Sequence, residues 1–528
     1  MIADIAVLLF SAALAAPTPC GNLKSISVPN TTITMAESVP AGTFTPPPGP
    51  AAPEGQRGGA PPAVFTVPAF CRVAAILRPS SDSEIAMEVW LPETWNGKFQ
   101  FVGGGGWAGV ISYPALVAAV NEGYATASTD TGHKGGNANF AVGHPEKVVD
   151  FAYRAVHEST VKAKAIMTTF YDRGPKFSYW NGCSTGGRQG LMEAQRYPDD
   201  FDAIIAGAPA NYQTHLHAWD LGVSVPVLKD PASAVSAAKL TALNKAVIGA
   251  CDAKDGVKDN LLNEPRTCKF DPSTLLCKAG DSDSCFTAPQ LESVKRMYSP
   301  AKTKTGEIVF PGKEPGSETT WNVISGGQAP PGVSLGSFQV AYDNLNWDWR
   351  GYDLDRDLKV VDEKVGTIIN AINPDLSAFK ARGGKLILYH GWNDAALPPM
   401  NTVNYFQRVV AKLGQRQTDR FVRLYMAPGV QHCSSGPGPD NFGQVVTRAQ
   451  SDPQHDLTMA LEHWVEQGTA PERIIATKRQ GANPQAPALR TRPLCPYPQV
   501  ARYKGSGSTE EAANFDCVLE QSGQKKKK

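Results

Sequence analysis

The residues best suited to chemistry lie at positions 182–187, where the sequence reads GCSTGG. A strand-like run at 177–180 precedes this motif, and a helix-like run at 188–196 follows it. Strand, glycine turn and helix form the context in which a G-x-S-x-G pentapeptide displays its serine as a nucleophile. The glycines allow the sharp turn that this display requires. We therefore interpret Ser184 as a nucleophile.

The same pentapeptide pattern occurs again at 332–336, where the sequence reads GVSLG. The residues before it, 329–331, are APP, and this run cannot form an interior strand. The strand–turn–helix context is therefore missing, and we predict that Ser334 is an ordinary loop serine.

A serine hydroxyl needs a general base, and the base needs a carboxylate that orients it. Asp394 follows the strand-like run 385–390, and His432 follows the strand-like run 421–425. Loops at the carboxyl ends of parallel strands meet at one edge of a sheet, which is where Ser184 is displayed. The chain order serine, aspartate, histidine is that of the α/β-hydrolase fold.

The other histidines fit this order or context less well. His390 precedes the acid. The spacing of His215 and His217 suits a metal but has no further ligand pattern, so we interpret this pair as polar or packed residues of the region 212–370. Asp440 is a rival acid, but it follows the base. The remaining histidines precede the serine or lie near a C-terminal helix: His133, His144, His157, His455 and His463.

A glycine run at 103–106, followed by a tryptophan, comes directly after the strand-like run 99–102. It resembles the loop that supplies backbone N–H donors to the oxyanion in esterases. A phosphate-binding P-loop is excluded because no Lys-Ser/Thr pair follows. We assign the two donors to the amides of Gly106 and Thr185, although the spacing alone does not decide between Gly106 and its neighbouring glycines.

Strand-like and helix-like runs alternate along the chain and indicate a mostly parallel sheet. The alternation stops between about 212 and 370, a region rich in Asp, Gly, Pro and Trp. We predict an α/β-hydrolase fold with a large inserted cap, or lid, domain. The predicted parts are a signal segment at 1–16, a catalytic domain at 17–211 and 371–528, and the lid at 212–370.

Composition and charge narrow the class of protein. The net charge is +1, and without the four terminal lysines at 525–528 it becomes −3, so nothing indicates nucleic acid as a partner. Residues 2–16 are mainly apolar but too short to span a bilayer, and they are typical of a weak secretory signal. Ten cysteines without a C-x-x-C pair favour disulfides in a secreted or periplasmic protein.

The chain resembles the tannase/feruloyl esterase family from about Cys71 to Cys517. The most specific feature is a cysteine beside the serine, Cys183, and another beside the histidine, Cys433. The resemblance implies a serine esterase with a Ser184–His432–Asp394 triad and a disulfide that joins the two loops. It also implies four further disulfides, namely Cys20–Cys71, Cys251–Cys268, Cys277–Cys285 and Cys495–Cys517.

The segment 251–259, CDAKDGVKD, offers oxygen ligands at short spacings around a glycine. By themselves these residues fit either a hard cation such as Ca²⁺ or a plain acidic turn. The resemblance implies a structural calcium ion in the lid. Its ligands would be the carboxylates of Asp252, Asp255 and Asp259 and the carbonyls of Val257 and Leu261.

The resemblance implies an ester of an aromatic acid as substrate, either small or attached to plant polysaccharide. We expect Ala396 and Leu397, just after the acid, to line the pocket for that acid. Thr185 and Leu397 differ from the residues of the related mono(2-hydroxyethyl) terephthalate hydrolase, which favours feruloyl esterase-like activity over that alternative. An alternative of another class is a non-catalytic, hydrolase-like binding protein, which the complete Ser–Asp–His order disfavours.

Overall fold

The computed structural model of the protein describes residues 18–47, 63–107, 109–444, 452–481 and 486–519. The predicted signal segment at 1–16 and the lysines at 525–528 lie outside these ranges. Within them, no helix is both long enough and apolar enough to cross a membrane.

The strands and helices are numbered in chain order. The strands are β1 (Thr31–Val39), β2 (Gly42–Phe44), β3 (Phe65–Val67), β4 (Phe70–Leu77), β5 (Ile85–Pro92), β6 (Lys98–Val102), β7 (Ala125–Thr129), β8 (Phe177–Cys183), β9 (Ala203–Gly207), β10 (Ala301–Lys302), β11 (Ile308–Phe310), β12 (Lys385–Gly391), β13 (Val422–Ala427), β14 (Ile474–Arg479), β15 (Ala488–Leu494), β16 (Gln499–Tyr503) and β17 (Phe515–Leu519). The α-helices are α1 (Tyr113–Asn121), α2 (Pro145–Val149), α3 (Ala155–Tyr171), α4 (Thr185–Arg196), α5 (Gln213–Lys229), α6 (Ala237–Cys251), α7 (Ala288–Tyr298), α8 (Gly332–Ala341), α9 (Leu354–Val361), α10 (Thr367–Ile369), α11 (Ser377–Ala381), α12 (Met400–Leu413), α13 (Gln415–Thr418) and α14 (Leu457–Gln467).

Nine strands form the central sheet, in the order β1-β4-β5-β7-β6-β8-β9-β12-β13. The pairs β1/β4, β4/β5 and β5/β7 are antiparallel, and every pair from β7 to β13 is parallel. The parallel strands β7 and β9 are buried at every position, as expected when helices cover both faces of a sheet. The predicted α/β-hydrolase fold is therefore confirmed.

Between β9 and β12 the chain leaves the sheet and forms helices α5 to α11 with the small hairpin β10–β11. Much of this region packs around its own apolar cluster, which includes Trp219, Trp321 and Phe338. Arg188, fully buried on α4, donates to the carbonyls of Ala152 and Ile369 and so ties the end of the region to the sheet domain. The domain limits at 212 and 370 stay predictions.

Two details of the sequence prediction are wrong. Ser334 lies in helix α8, fully buried, with its hydroxyl donating to Asp220 at 2.6 Å. Prolines exclude an interior strand, but they suit the start of a helix, and Pro331 is the N-cap residue of α8. Residues 38–62 are rich in Pro, Gly and Ala, a composition that predicts an extended loop, but the described part of this stretch, 38–47, contains the end of β1 and all of β2.

Candidate active site

Ser184 stands at the turn between strand β8 and helix α4. Its backbone φ is +63°, a left-handed value that a non-glycine residue adopts only under constraint from its surroundings. A Cβ on Gly182 would lie 2.7 Å from the backbone of Gly186, so a larger residue could not close this turn. The strained, tightly packed turn is the arrangement that displays a nucleophilic serine at the sheet edge.

A disulfide holds the loop of His432 against this turn. Cys183 and Cys433 are bonded with their Cα atoms 5.9 Å apart, although they are 250 residues apart in sequence. Ser184 directly follows the first cysteine, and His432 directly precedes the second. The bridge therefore brings the predicted nucleophile and the predicted base to the same place.

Asp394 and His432 form a direct hydrogen bond. The Nδ1 atom of His432 lies 2.7 Å from Oδ2 of Asp394, which is completely buried. A carboxylate can only accept, so Nδ1 carries the proton and Nε2 is left as the basic nitrogen. The loops after β12 and β13 pack closely enough for this contact because residue 391 is glycine, where a Cβ would meet the carbonyl oxygen of Val430 at 2.1 Å.

A second histidine, His390, contacts the same carboxylate oxygen. The sequence did not predict this contact. The Nε2 atom of His390 lies 3.0 Å from Oδ2 of Asp394, and its Nδ1 lies 2.7 Å from the hydroxyl of Thr402. Because Nε2 donates to the carboxylate, a neutral His390 accepts at Nδ1, and Thr402 is then the donor. The position of His390 at the end of β12, four residues before Asp394, was the available signal.

The charges of the pair shift both pKa values. Burial acts to raise the pKa of Asp394, but the charge of His432 and the hydrogen bonds from both histidines outweigh it and hold this pKa well below its usual range. Burial likewise acts to lower the pKa of His432, but Asp394 outweighs it and raises this pKa above its ordinary value. Lys313 opposes that rise. The aspartate therefore stays ionised and stabilises the imidazolium form.

The glycine run lies against the start of helix α4. The amide of Gly186 donates to Gly104 at 2.8 Å, and the hydroxyl of Thr185 donates to the carbonyl of Gly106 at 2.7 Å. A Cβ on Gly103 would lie 2.7 Å from Gly186, which explains the absence of a side chain there. Within the described ranges, the amides of Gly106 and Thr185 donate to no backbone carbonyl. Their assignment as oxyanion donors stays a prediction.

Ala396 and Leu397 hold the acid through their backbone. Both amides donate to Oδ1 of Asp394 at 2.8 Å. The Leu397 side chain is buried in the apolar cluster of the inserted region, and Ala396 is exposed. Their predicted contact with the acid part of a substrate stays a prediction.

The predicted calcium ligands lie in one loop after helix α6. Burial raises the pKa of Asp255 to about 6, and the charges of Asp259 and Asp252 add to this rise against hydrogen bonds from backbone amides. Asp259 already has a cationic partner in the buried Arg492. Among the side chains that the structure describes, these three carboxylates do not form a group with all donor atoms within 4.8 Å of one another. The excess negative charge at Asp252 and Asp255 nevertheless fits a hard cation.

The described cysteines all form disulfides, and the pairs are those that the resemblance implied. They are Cys20–Cys71, Cys183–Cys433, Cys251–Cys268, Cys277–Cys285 and Cys495–Cys517.

Comparison with known proteins shows which family the chain belongs to. The family described as "Tannase and feruloyl esterase" matches residues 71–518. The chain belongs to the tannase and feruloyl esterase family. This family membership, and the esterases among its relatives, make the protein a carboxylic ester hydrolase.

Three similar proteins each align with nearly the whole length of this chain. An uncharacterised esterase of Xanthomonas campestris is 41% identical, over 98% of this chain and 94% of its own length. A probable feruloyl esterase B-2 of Aspergillus oryzae is 32% identical, over 94% of each chain. The crystal structure of feruloyl esterase B from Aspergillus oryzae superposes with a TM-score of 0.86 at 32% identity, covering 94% of this chain and 99% of that one.

Proposed function

We propose that the protein is a secreted serine esterase that hydrolyses esters of aromatic acids, with feruloyl esters as the preferred class. The observation that carries this proposal is the bond between Asp394 and His432, held beside the Ser184 turn by the Cys183–Cys433 bridge. The relatives named feruloyl esterase support the choice of substrate.

In the proposed mechanism, His432 removes the proton from Ser184 as its oxygen attacks the ester carbonyl. The amides of Gly106 and Thr185 bind the oxygen that becomes negative in the tetrahedral intermediate. His432 then protonates the leaving alcohol, which leaves an acyl-enzyme on Ser184. Water, activated by the same imidazole, hydrolyses this acyl-enzyme, while Asp394 keeps the imidazole in the required tautomer.

A substitution at the nucleophile tests this mechanism. Ser184→Ala should lower kcat on methyl ferulate by about 10⁶-fold with an unchanged circular dichroism spectrum, because the attacking atom is lost. Substantial residual turnover in this variant would overturn the assignment.

A serine-directed fluorophosphonate separates the enzyme from a binding protein of the same fold. The reagent should label Ser184 in the wild-type protein, whereas the peptide with Ser334, the other G-x-S-x-G serine, should stay unmodified. No adduct on Ser184 would favour the binding protein. Parallel assays of methyl ferulate, methyl gallate and mono(2-hydroxyethyl) terephthalate then rank the substrate classes.

We further propose a structural calcium ion bound by Asp252, Asp255 and Asp259 with the carbonyls of Val257 and Leu261. It would neutralise the carboxylates of this loop and take no part in catalysis, since the loop holds no member of the triad.

The five disulfides support export to an oxidising compartment, where such bonds persist. Whether the exported chain carries residues 1–16 is tested by sequencing its N-terminus.

A further inference from the structure

Glu193 is a buried carboxylate that the proposed mechanism does not use. The residue lies on helix α4 and is 1% exposed, and neither of its side-chain oxygens has a hydrogen-bond partner among the described residues. Burial raises its pKa well above the ordinary value, and the charge of Asp200 adds to this rise. A buried carboxylate without partners destabilises a fold, so we expect a group nearby that compensates it.

Two further side chains that can ligate a metal lie beside Glu193. One ligand atom from each of His157, Glu193 and Asp200 belongs to a group in which all three atoms lie within 4.8 Å of one another. Nδ1 of His157, on helix α3, lies 2.6 Å from Oδ2 of Asp200, in the loop between α4 and β9. Three separate parts of the chain thus present an imidazole and two carboxylates to one point.

The imidazole of His157 has a fixed orientation and is in contact with solvent. Its ring stacks on that of Tyr197, with the ring centres 3.8 Å apart and the ring planes 8° from parallel. The side chain of His157 is 28% exposed, whereas that of Asp200 is 11% exposed. The group therefore opens to solvent at the imidazole, where an ion can enter, while its carboxylates are shielded.

A neighbouring cation balances only part of the negative charge of this group. The ammonium of Lys164 donates to the backbone carbonyl of Asp200. Burial lowers the pKa of Lys164, against the charges of Asp200, Asp202 and Glu193. Asp202 already has a cationic partner in Arg382. One ammonium beside the two carboxylates of the group leaves negative charge that a divalent cation would neutralise.

The three side chains are a ligand set for a first-row divalent metal ion. An imidazole nitrogen suits such an ion, whereas Ca²⁺ prefers oxygen ligands alone. Around tetrahedral Zn²⁺, with bonds of about 2.0–2.1 Å, neighbouring ligand atoms lie about 3.3 Å apart. The 2.6 Å contact lies below this value and the 4.8 Å limit lies above it, so small side-chain rotations would reach the required geometry. Water fills the fourth position where a protein supplies three ligands.

We propose that His157, Glu193 and Asp200 bind one Zn²⁺ ion, which joins helices α3 and α4 to the loop before β9. The ion has a structural role, because Glu193 lies nine residues after Ser184 on the same helix, a rise of about 13 Å. This site is separate from the triad and from the proposed calcium loop, and it does not depend on the proposed function.

A zinc titration of the whole protein tests the proposal. The protein is dialysed against EDTA and then into millimolar calcium, so that the proposed calcium loop is the same in every sample. By calorimetry, the wild-type protein should bind one Zn²⁺ ion per chain at its tightest site, and zinc should raise its unfolding temperature. Glu193→Gln keeps the shape of the side chain without its charge, and His157→Gln removes the imidazole. Each should weaken this binding at least about 100-fold, because even the loss of an outer-shell partner costs about 10- to 100-fold.

His455→Gln is the matched control. The side chain of His455 is 25% exposed and lies 2.9 Å from Asp452, but among the described residues this pair belongs to no group of three ligands. The control should keep the wild-type affinity, and anomalous scattering from zinc-soaked crystals should place the ion between the three proposed ligands. Equal affinities of the wild-type protein and Glu193→Gln, or an ion located only elsewhere, would overturn the inference. No zinc binding, with a Glu193→Gln variant more stable than the wild-type protein, would also overturn it and indicate a proton shared by Glu193 and Asp200.

Discussion

Oδ2 of Asp394 accepts hydrogen bonds from two imidazoles, while Oδ1 accepts two backbone amides. Four donors on one buried carboxylate leave it no freedom to rotate. The other donors also compete with His432 for the charge of the carboxylate, so Asp394 raises the pKa of His432 less than it would if His432 were its sole partner. His390 is thus a positioning residue in the proposed mechanism, acting on the base through the acid.

Two substitutions at His390 separate its hydrogen bond from its bulk. His390→Leu should lower kcat on methyl ferulate about tenfold, since one hydrogen bond to a charged group is lost. It should also move the acid limb of the kcat/KM profile to higher pH, because Asp394 then acts more strongly on His432. His390→Gln retains a side-chain donor and should recover most of the rate. A Leu variant with the wild-type rate and pH limb would show that the contact has no catalytic effect.

The raised pKa of His432 sets the direction of the pH dependence. Activity requires the neutral imidazole, so kcat/KM should rise with pH through a value above the ordinary histidine pKa of about 6.5. Asp394→Asn removes the charge that raises this pKa, while burial and Lys313 still lower it. Its residual activity, reduced by about 10⁴-fold, should therefore show an acid limb at lower pH than the wild-type limb. An acid limb at the same pH or higher would contradict this account.

The parallel strands could be predicted from the sequence, whereas the antiparallel edge could not. Strand β12 reads KLILYHG and is buried from its second residue onward, so its apolar run was visible. Strand β1 lies at the sheet edge, reads TTITMAESV and buries only Ile33, which leaves no apolar alternation to detect. The common location of Ser184, Asp394 and His432 could likewise be predicted, because each of them follows a strand-like run. The contact between His390 and Asp394 could not be predicted, because it depends on side-chain orientations that tertiary packing determines.

The Cys183–Cys433 bridge should contribute more to stability than a short one. In the chain-entropy account, a loop of 250 residues contributes about 5.5 kcal/mol and the eight-residue Cys277–Cys285 loop about 2.5 kcal/mol. Replacing both members of the long bridge with alanine should therefore lower the free energy of unfolding by the larger amount. It should also reduce kcat at least about tenfold, because His432 is no longer held beside Ser184.

The matching double alanine variant of Cys277 and Cys285 is the control for this experiment. It should lose the smaller increment of stability and retain kcat, as its loop carries no residue of the proposed triad. Equal kcat values for the two double variants would indicate that the long bridge stabilises the fold without positioning the base.

At the scale of the whole molecule, the proposed calcium loop connects the inserted region with the C-terminal strands. Val257 packs with Phe515 and the Cys495–Cys517 bridge, and Asp259 pairs with Arg492 of β15. A cation that orders this loop would therefore stabilise the contact between two distant parts of the chain. The sequence placed the ligands in one segment but could not show what that segment packs against.

Calcium removal tests this connection. EGTA should lower the unfolding temperature, because an ion present at about a hundredfold its Kd stabilises the native state by about 3 kcal/mol. Asp255→Asn should unfold at a temperature that calcium no longer affects, since the variant lacks a central carboxylate ligand. The control Asp283→Asn, at an exposed acidic position in the same region, should retain the full response to calcium. An unfolding temperature of the wild-type protein that is equal in EGTA and in millimolar calcium would leave Arg492 as the cation that balances this loop.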